Sequence, residues 1–493
     1  MEKIYRVSFK EREMCDIIPQ YKVIYDNIHG YIPLSNLVVM VMDSRQFQRL
    51  RKLKQLGSCH YIYQNAVHTR HEHSIGTSYL AGKLIMSIMN NTPQEEIEEY
   101  LGGIVELKSY YDRKGGKPVI DQHIIELVKI AALCHDLGHG PFSHVFDDFF
   151  VPMVRKKKIG DNPMEHHEVR SGVFLEKIIK ENNILRELID DDQIAFIKNL
   201  INPKAEHVGF LYQIVSNNLN GLDVDKYDYL ARDSYMIGRE GQFKSQRLVE
   251  HIRVIDNMIC YPEQATSDII ALFNTRYNLH KIVYGHKGVL SAQYMITEIF
   301  GYLDSVIGLY DSINDPDKFN VMTDDYILSC CHTLLGKWCN GLSAEDYENV
   351  MKAKGVIDRL EAHKLYTHVD TFISKDRIEI CADDFMLLDG EKEKIIFHTN
   401  KIGFVSGSKM NPLDCIYAYS TKDKKGDADI RKIDVSKYSL LIANNYQEWV
   451  TMIFYKERNE EVVGRLRKEF REIVKGLGID KPVYDVAHTC VEL

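Results

Sequence analysis

Apolar residues recur at helical spacing along the chain up to about residue 320. In "DSRQFQRLRKLKQLG" (43–57), Phe47, Leu50, Leu53 and Leu56 return every third position. Asp43 or Ser44 can cap the start and Gly57 can end it, which predicts a helix over 43–57. "EHSIGTSYLAGKLIMSIM" (72–89) predicts a second helix. "DQHIIELVKIAALCHDL" (121–137) predicts a third, apolar on most faces and therefore interior. "GHGP" stops it, because two glycines and a proline extend a helix only at a cost. The intervening "NNTPQEEIEEY" and "DRKGGKP" read as a polar connection. Helical patterns continue over 165–182, 186–201, 223–236 and 268–311. After about residue 365 the period changes: "RIEICADDFML", "KIIFHT", "DCIYAYS" and "SLLIAN" gather β-formers, and "NEEVVGRLRKEFREIVKGLG" reads as a terminal helix.

The fold class is therefore mostly α, with a smaller α+β C-terminal region. The expected organisation is an N-terminal extension (1–20), a helical domain (21–320) and an α+β region (321–493) for regulation or oligomerisation. A net charge of -9 argues against sequence-independent binding to duplex DNA, which needs a basic face. The runs "RKKK" (155–158) and "RLRKEFR" (465–471) read as solvated surface. Ten cysteines form no CxxC pair, as expected of reduced thiols inside a cell. There is no signal-peptide core and no apolar stretch long enough for a bilayer, so the expected location is the cytoplasm, with the nucleus as a second option.

"ALCHDLGHGPFSHVFD" (132–147) places His135, Asp136, His139, His144 and Asp147 where the third helix ends. A helix C-terminus favours a cation. Two ligands do not hold a metal, so others must come from afar; His73 in "HTRHEHSIG" and Asp225 in "NGLDVDKYDYLARD" are candidates. Two imidazoles and two carboxylates suit iron, manganese, zinc or magnesium. Two aspartates cancel only one divalent charge, so a polyphosphate needs further cations nearby. Lys226, Tyr229 and Asp233 lie within two turns of Asp225, and Arg276, His280, Tyr284 and Lys287 fall at i, i+4, i+8 and i+11 of "NTRYNLHKIVYGHK".

The H…HD…D spacing resembles the HD phosphohydrolases. The ordered motifs "DSRQFQRLRKLKQLG", "HTRHEHSIG", "LCHDLGHGPFSH", "NGLDVDKYDYLARD" and "NTRYNLHKIVYGHK" resemble, more narrowly, the SAM-and-HD-domain deoxynucleoside triphosphate triphosphohydrolase family, over roughly residues 20–310. The SAM domain of that family is expected to be lacking. The resemblance implies an HD-type helical catalytic core and conversion of dNTPs to deoxynucleoside and inorganic triphosphate. By position, it implies that His73, His135, Asp136 and Asp225 are the metal ligands. It implies that Arg70, His139, Lys226, Tyr229 and Arg276 hold the triphosphate, with His167 in the phosphate pocket and His280 on the same stripe. His144 matches the proton donor, and Asp147, three residues on, is expected to orient its imidazole and raise its pKa. His139 and His167 complete that catalytic group. Gln55 and Asp233 match the groups on the 3′-hydroxyl, Leu56 packs against sugar and base, and Tyr284 crowds C2′, which implies deoxy selectivity with broad base tolerance. In that reading water attacks the α-phosphorus in line, Arg70, His139 and Lys226 stabilise the growing charge, and His144 protonates the departing 5′-oxygen.

The same resemblance implies GTP or dGTP activation and assembly into a tetramer or dimer, with magnesium accompanying the bound nucleotides. Lys22, Val23, Asp43, Gln48 and Arg51 match the guanine-reading site. Asp43 could accept from guanine N1 and N2; the plainer reading is a helix cap at Asp43 and a solvated Arg51. Arg253, His286 and Lys287 match a second, dNTP-binding site, where Tyr25 and Ile282 depart from the pattern. Two other functions fit the residues less well: an HD phosphatase or phosphodiesterase on other nucleotides, and a non-catalytic nucleotide sensor or single-stranded nucleic-acid binder. Biological roles implied are dNTP pool control and antiviral defence.

Overall fold

A computed structural model describes residues 20–478, apart from 159, 240–242, 337–340, 389, 405–410, 423–429 and 434–445. Two long helices organise the interior. Arg70–Asn91 presents small residues, Ser74, Gly76, Thr77, Ser78 and Ala81, to its neighbours and so packs closely. Gln122–Cys134 lies beside it, joined where Ser78 Oγ donates to the Lys129 carbonyl at 2.9 Å. As its apolar faces predict, the second helix is buried almost all round, from Ile124 to Cys134. Its one buried acid, Glu126, is matched by Ser35, Gln122 and Lys129.

Several predicted elements are redrawn by tertiary partners. The stretch 43–57 is not one helix. It forms Arg45–Gln48 and a tighter turn, Arg49–Lys52, and then runs extended at Leu53. There its backbone groups bond elsewhere: the Leu53 carbonyl accepts from Arg70 N and the Gln55 amide donates to the His68 carbonyl, both at 3.0 Å. The "polar connection" contains two helices, Gln94–Leu101 and Val105–Arg113. Each buries only two or three apolar residues, too sparse a stripe to stand out. The 186–201 pattern splits into Asn183–Leu188 and Asp191–Ile201, because Asn182 and Asp190 each cap a new start. The 268–311 pattern splits at Gly285, between Thr266–Asn278 with its wide-turn extension Leu279–Tyr284 and the helix Lys287–Ile307, which His286 caps at 3.1 Å.

Beyond residue 320, Asp324–Leu335 and Ala344–Glu361 are still helical, and their Ile327, Val350, Ile357 and Leu360 join the same core as the long helices. A hairpin of β1 (Gln20–Asp26) and β2 (Gly30–Ser35) flanks that core. β3 (Arg253–Ile255) and β4 (Met258–Pro262) form a second hairpin. β5 (Thr367–Ser374), β6 (Ile395–Gly403) and a later strand make an antiparallel sheet. β7 (Tyr417–Tyr419) pairs in parallel with β4 and antiparallel with β8 (Arg431–Lys432). β9 (Gln447–Tyr455) is the central strand between β5 and β6. The helix Glu460–Gly476 covers that sheet with Val463, Leu466, Phe470 and Val474. "RIEICADDFML" is not a strand: it makes one short turn at Ala382–Asp384. "SLLIAN" lies outside the described residues. Among the described residues, no helix is long and apolar enough to cross a membrane.

Candidate active site

Three helix ends converge. Thr69 caps Arg70–Asn91 through a reciprocal pairing with Glu72, which turns Arg70 and His73 inward in the first turn. His135 and Asp136 follow the last turn of Gln122–Cys134. Asp223 caps Val224–Met236, so Asp225 and Lys226 stand at its first turn. His73 Nε2 lies 3.2 Å from His135 Nε2 and 3.1 Å from Asp225 Oδ1, and His135 Nε2 lies 3.5 Å from the same oxygen. One ligand atom from each of His73, His135 and Asp225 falls within 4.8 Å of the others. Asp136 stands beside them, 3.5 Å from His73 and 3.4 Å from His135, while Arg70 Nη1 holds its Oδ2 at 2.5 Å.

The donor set fits a divalent ion. Each imidazole has its Nδ1 engaged from behind, His73 on Asp228 and His135 on the Ala132 carbonyl, both at 2.7 Å, so both Nε2 atoms face the cluster. Burial works against a charged His73, yet Asp225 and Asp228 outweigh it and raise its pKa to about 10. The same balance raises His135, with Asp136 the main cause. The local potential thus favours positive charge, as a divalent cation supplies. Asp228 was not anticipated from the sequence. It is fully buried and receives His29 at 2.6 Å, His73, and Arg232 through two nitrogens at 2.9 Å. Its spacing of three residues from Asp225, one turn along the same helix, was the available signal.

Beside the cluster is a cavity of about 480 Å³. Gln55, Leu56, Arg70, His139, His144, His167, Lys226, Tyr229, Asp233, Arg276, His280 and Tyr284 all line it, together with His135, Asp136 and Asp225. His73 sits beneath the surface of the wall. Arg70 Nη2 and Gln55 Oε1 are buried without a hydrogen-bond partner among the described residues. Orphaned buried polar atoms of this kind point to a ligand that completes them. Lys226 is turned to Asp223 at 3.1 Å. Tyr284 Oη donates to Asp233 Oδ2 at 2.6 Å, and His68, unforeseen, holds Oδ1 at 2.7 Å.

The HD domain family profile matches residues 70–233, the span that carries all four clustered residues. The chain is 36% identical over 443 residues to a putative HD domain-containing protein of Acanthamoeba polyphaga mimivirus, covering 87% of this chain and 91% of that one. It is 33% identical to a deoxynucleoside triphosphate triphosphohydrolase SAMHD1 homolog of Dictyostelium discoideum (92% and 80%) and 29% identical to human SAMHD1 (97% and 77%). The chain belongs to the family of HD-domain deoxynucleoside triphosphate triphosphohydrolases.

Around the His/Asp cluster, the imidazoles pair differently from expectation. Asp147 does not orient His144. It pairs with His139 Nδ1 at 2.7 Å and with Arg170, and it does not line the cavity. Burial favours its neutral form, but Arg170 and then His139 hold it well below the usual carboxylate range. The partner of His144 is Asp148, at 3.1 Å. Four residues is a neighbour spacing on a helix, and Asp147 is already held by Arg170 and His139, so Asp148 is the acid that meets His144. Desolvation by the surrounding protein would by itself lower the His144 pKa; Asp148, and more weakly Asp147, override it and the pKa rises. His167 stacks on His139 with centroids 3.9 Å apart, and burial plus that neighbour keep it well below the usual histidine range. His280 is lowered too, by burial and then by Arg276. The predicted stripe ends at Tyr284, since Lys287 belongs to the next helix and does not reach the cavity. His398 and Asn400 of β6 do reach it, a contribution that no local motif signals.

The residues matched to nucleotide activators lie elsewhere. Ser44, not Asp43, caps its helix, accepting from Phe47 N at 3.2 Å, and Asp43 is exposed. Gln48 bonds the Met42 carbonyl at 2.7 Å and receives Arg51 at 2.8 Å. Burial, Arg51 and, more weakly, Lys22 lower the pKa of the adjoining His71 to about 4, so both cations gather around one ring. Val23 is exposed on β1. Arg253 lies over the Tyr419 ring at 4.4 Å, and His286 meets Tyr63 edge-on.

Proposed function

We propose that this chain hydrolyses deoxynucleoside triphosphates to deoxynucleoside and inorganic triphosphate. The observation that carries the reading is the orphaned Arg70 Nη2, buried in a cation-lined cavity that adjoins the His/Asp cluster. Relatives named for this activity align with most of the chain.

His73, His135, Asp136 and Asp225 would hold the divalent ion: iron, zinc, manganese or magnesium. Such an ion supplies Lewis acidity and charge neutralisation at the phosphate. Arg70 offers its free Nη2 to a phosphate oxygen while Asp136 and Ser143 fix the other guanidinium nitrogens. Lys226, Arg276 and Tyr229 surround the remaining phosphates, and Lys226 exchanges Asp223 for them. His139, 3.3 Å from Asp136, and the neutral His167 stacked on it donate to the phosphates as well. His144, kept protonated by Asp148, gives its proton to the departing 5′-oxygen. Gln55 Oε1 accepts the 3′-hydroxyl beside Asp233, and Leu56 supports the sugar. Tyr284, held by Asp233, leaves no room for a ribose 2′-hydroxyl. GTP or dGTP acts as an activator at Lys22, Val23, Asp43, Gln48 and Arg51, with a dNTP at Arg253, His286 and Lys287, within a dimer or tetramer.

The test is incubation of metal-replete protein with each dNTP and each rNTP, with and without GTP, followed by ion chromatography. Inorganic triphosphate from dNTPs alone is expected. Monophosphate or pyrophosphate as the product, or no turnover under any condition, would refute the proposal.

A further inference from the structure

The loop between Asp136 and His144 is anchored by a helix outside the motifs discussed so far. Phe142 and Ser143 are consecutive non-glycine residues, each with φ of 56°. Side chains larger than hydrogen resist this left-handed conformation, so something must impose it. Ser143 Oγ donates to the Lys54 carbonyl at 2.7 Å and accepts from Arg70 Nε at 2.8 Å. The Phe142 amide donates to Asp324 Oδ1 at 2.6 Å, and the Lys54 amide donates to Asp324 Oδ2 at 2.9 Å. Asp324 opens the helix Asp324–Leu335 and is 1% exposed. Gly57 completes the contact: a side chain there would meet the Phe142 carbonyl. One buried carboxylate thus ties together the two segments that present His144 on one side and Gln55 and Leu56 on the other.

We propose that Asp324 is a positioning residue for the reaction, its two oxygens setting the backbone from which His144, Gln55 and Leu56 reach the substrate. This rests on the hydrolase reading above. A carboxylate is a poor choice for cohesion alone. Burial raises its pKa, and the two amides, Lys54 and Arg49 offset that only in part, which leaves it at about 6. The charged and titratable groups that act on it are Lys54, Arg49 and Tyr61. Because its folded pKa lies above the unfolded value, the native state gains protons as pH falls towards 6 and the ionised form is the less stable one. The ionised form is also the one that accepts both amides.

The experiment compares wild type with Asp324→Asn for kcat, metal content and affinity for inorganic tripolyphosphate, between about pH 5 and 8. An asparagine accepts one amide, not two. At the alkaline end, kcat is expected to fall about tenfold or more, while metal content and tripolyphosphate affinity stay within about twofold. The ratio of wild-type to variant turnover is expected to shrink as pH falls through 6, because protonation removes the same acceptor from wild type. A kcat within about twofold of wild type, a pH-independent ratio, or parallel loss of metal and tripolyphosphate binding would each overturn the proposal. A second arm needs no variant: in wild type, amide protection of Phe142 and Lys54 should drop below pH 6 more than that of Gln122–Cys134, and equal change would overturn it. This arm is read even if no dNTP is cleaved, so the two failures remain distinct.

Discussion

His144 is 58% exposed, and its charge partner Asp148 is 65% exposed. The pair stands at the rim of the cavity, where a proton can be regained from solvent after each turnover. A raised histidine pKa means that the donor form is present below that pKa and is lost as pH rises through it. His144→Gln should lower kcat about a hundredfold or more with little change in KM, and should remove the alkaline limb of the rate profile. Asp148→Asn should retain turnover at acid pH and shift that limb to lower pH, which a pH–kcat series would register. The identity of the partner was out of reach of the sequence. Asp147 and Asp148 are adjacent, either spacing reaches His144 from one helical turn, and only the tertiary pairing of Asp147 with Arg170 and His139 leaves Asp148 as the partner.

The Arg70–Asn91 helix meets Val224–Met236 at Gly76. A Cβ there would collide with Asp228, which holds His73 from behind, and with Arg232, which binds Asp228. Gly76→Ala should therefore cut metal affinity about tenfold to a hundredfold and destabilise by about 1–3 kcal/mol. Gly82, two turns on, is the control. Its Cβ would meet only the flexible Lys129 side chain at 3.3 Å, so Gly82→Ala should keep its metal and gain up to about 1 kcal/mol of helix propensity. Metal per chain and thermal midpoint separate the two cases. Both helices were predicted closely, because an inward face repeated over roughly three to six turns is a strong periodic signal. The 43–57 helix was not, because a local pattern cannot show that Leu53, Lys54 and Gln55 give their backbone bonds to His68, Arg70 and Asp324.

Across the whole molecule, one apolar core runs from Ile32 to Ile433, and β6 enters the cavity from a sheet more than a hundred residues beyond the last motif. Arg276 is bound to the Gly403 carbonyl at the end of that strand, so the phosphate-facing wall and the C-terminal sheet are mechanically joined. Of the residues proposed to read guanine, Asp43 and Arg51 are exposed and Gln48 is half-buried on the helix–turn segment that leads into Gln55, and Lys22 is exposed on β1. If they read guanine, Arg51→Ala and Asp43→Ala should each abolish GTP stimulation and any GTP-driven change of mass by sedimentation. Full stimulation in both variants would reject that assignment.

Residue types were legible from the sequence because the chemistry leaves few alternatives. A divalent ion and a triphosphate need imidazoles, carboxylates and cations, and all twelve residues expected around the substrate do line one cavity. Helix identity was legible where an apolar face persists. Only the tertiary structure decided which acid serves which imidazole, where helices break, and that Asp228, His68, Asp324 and β6 support the site. Those choices depend on groups distant in sequence competing for the same buried hydrogen-bond partners, and spacing along the chain carries no record of that competition.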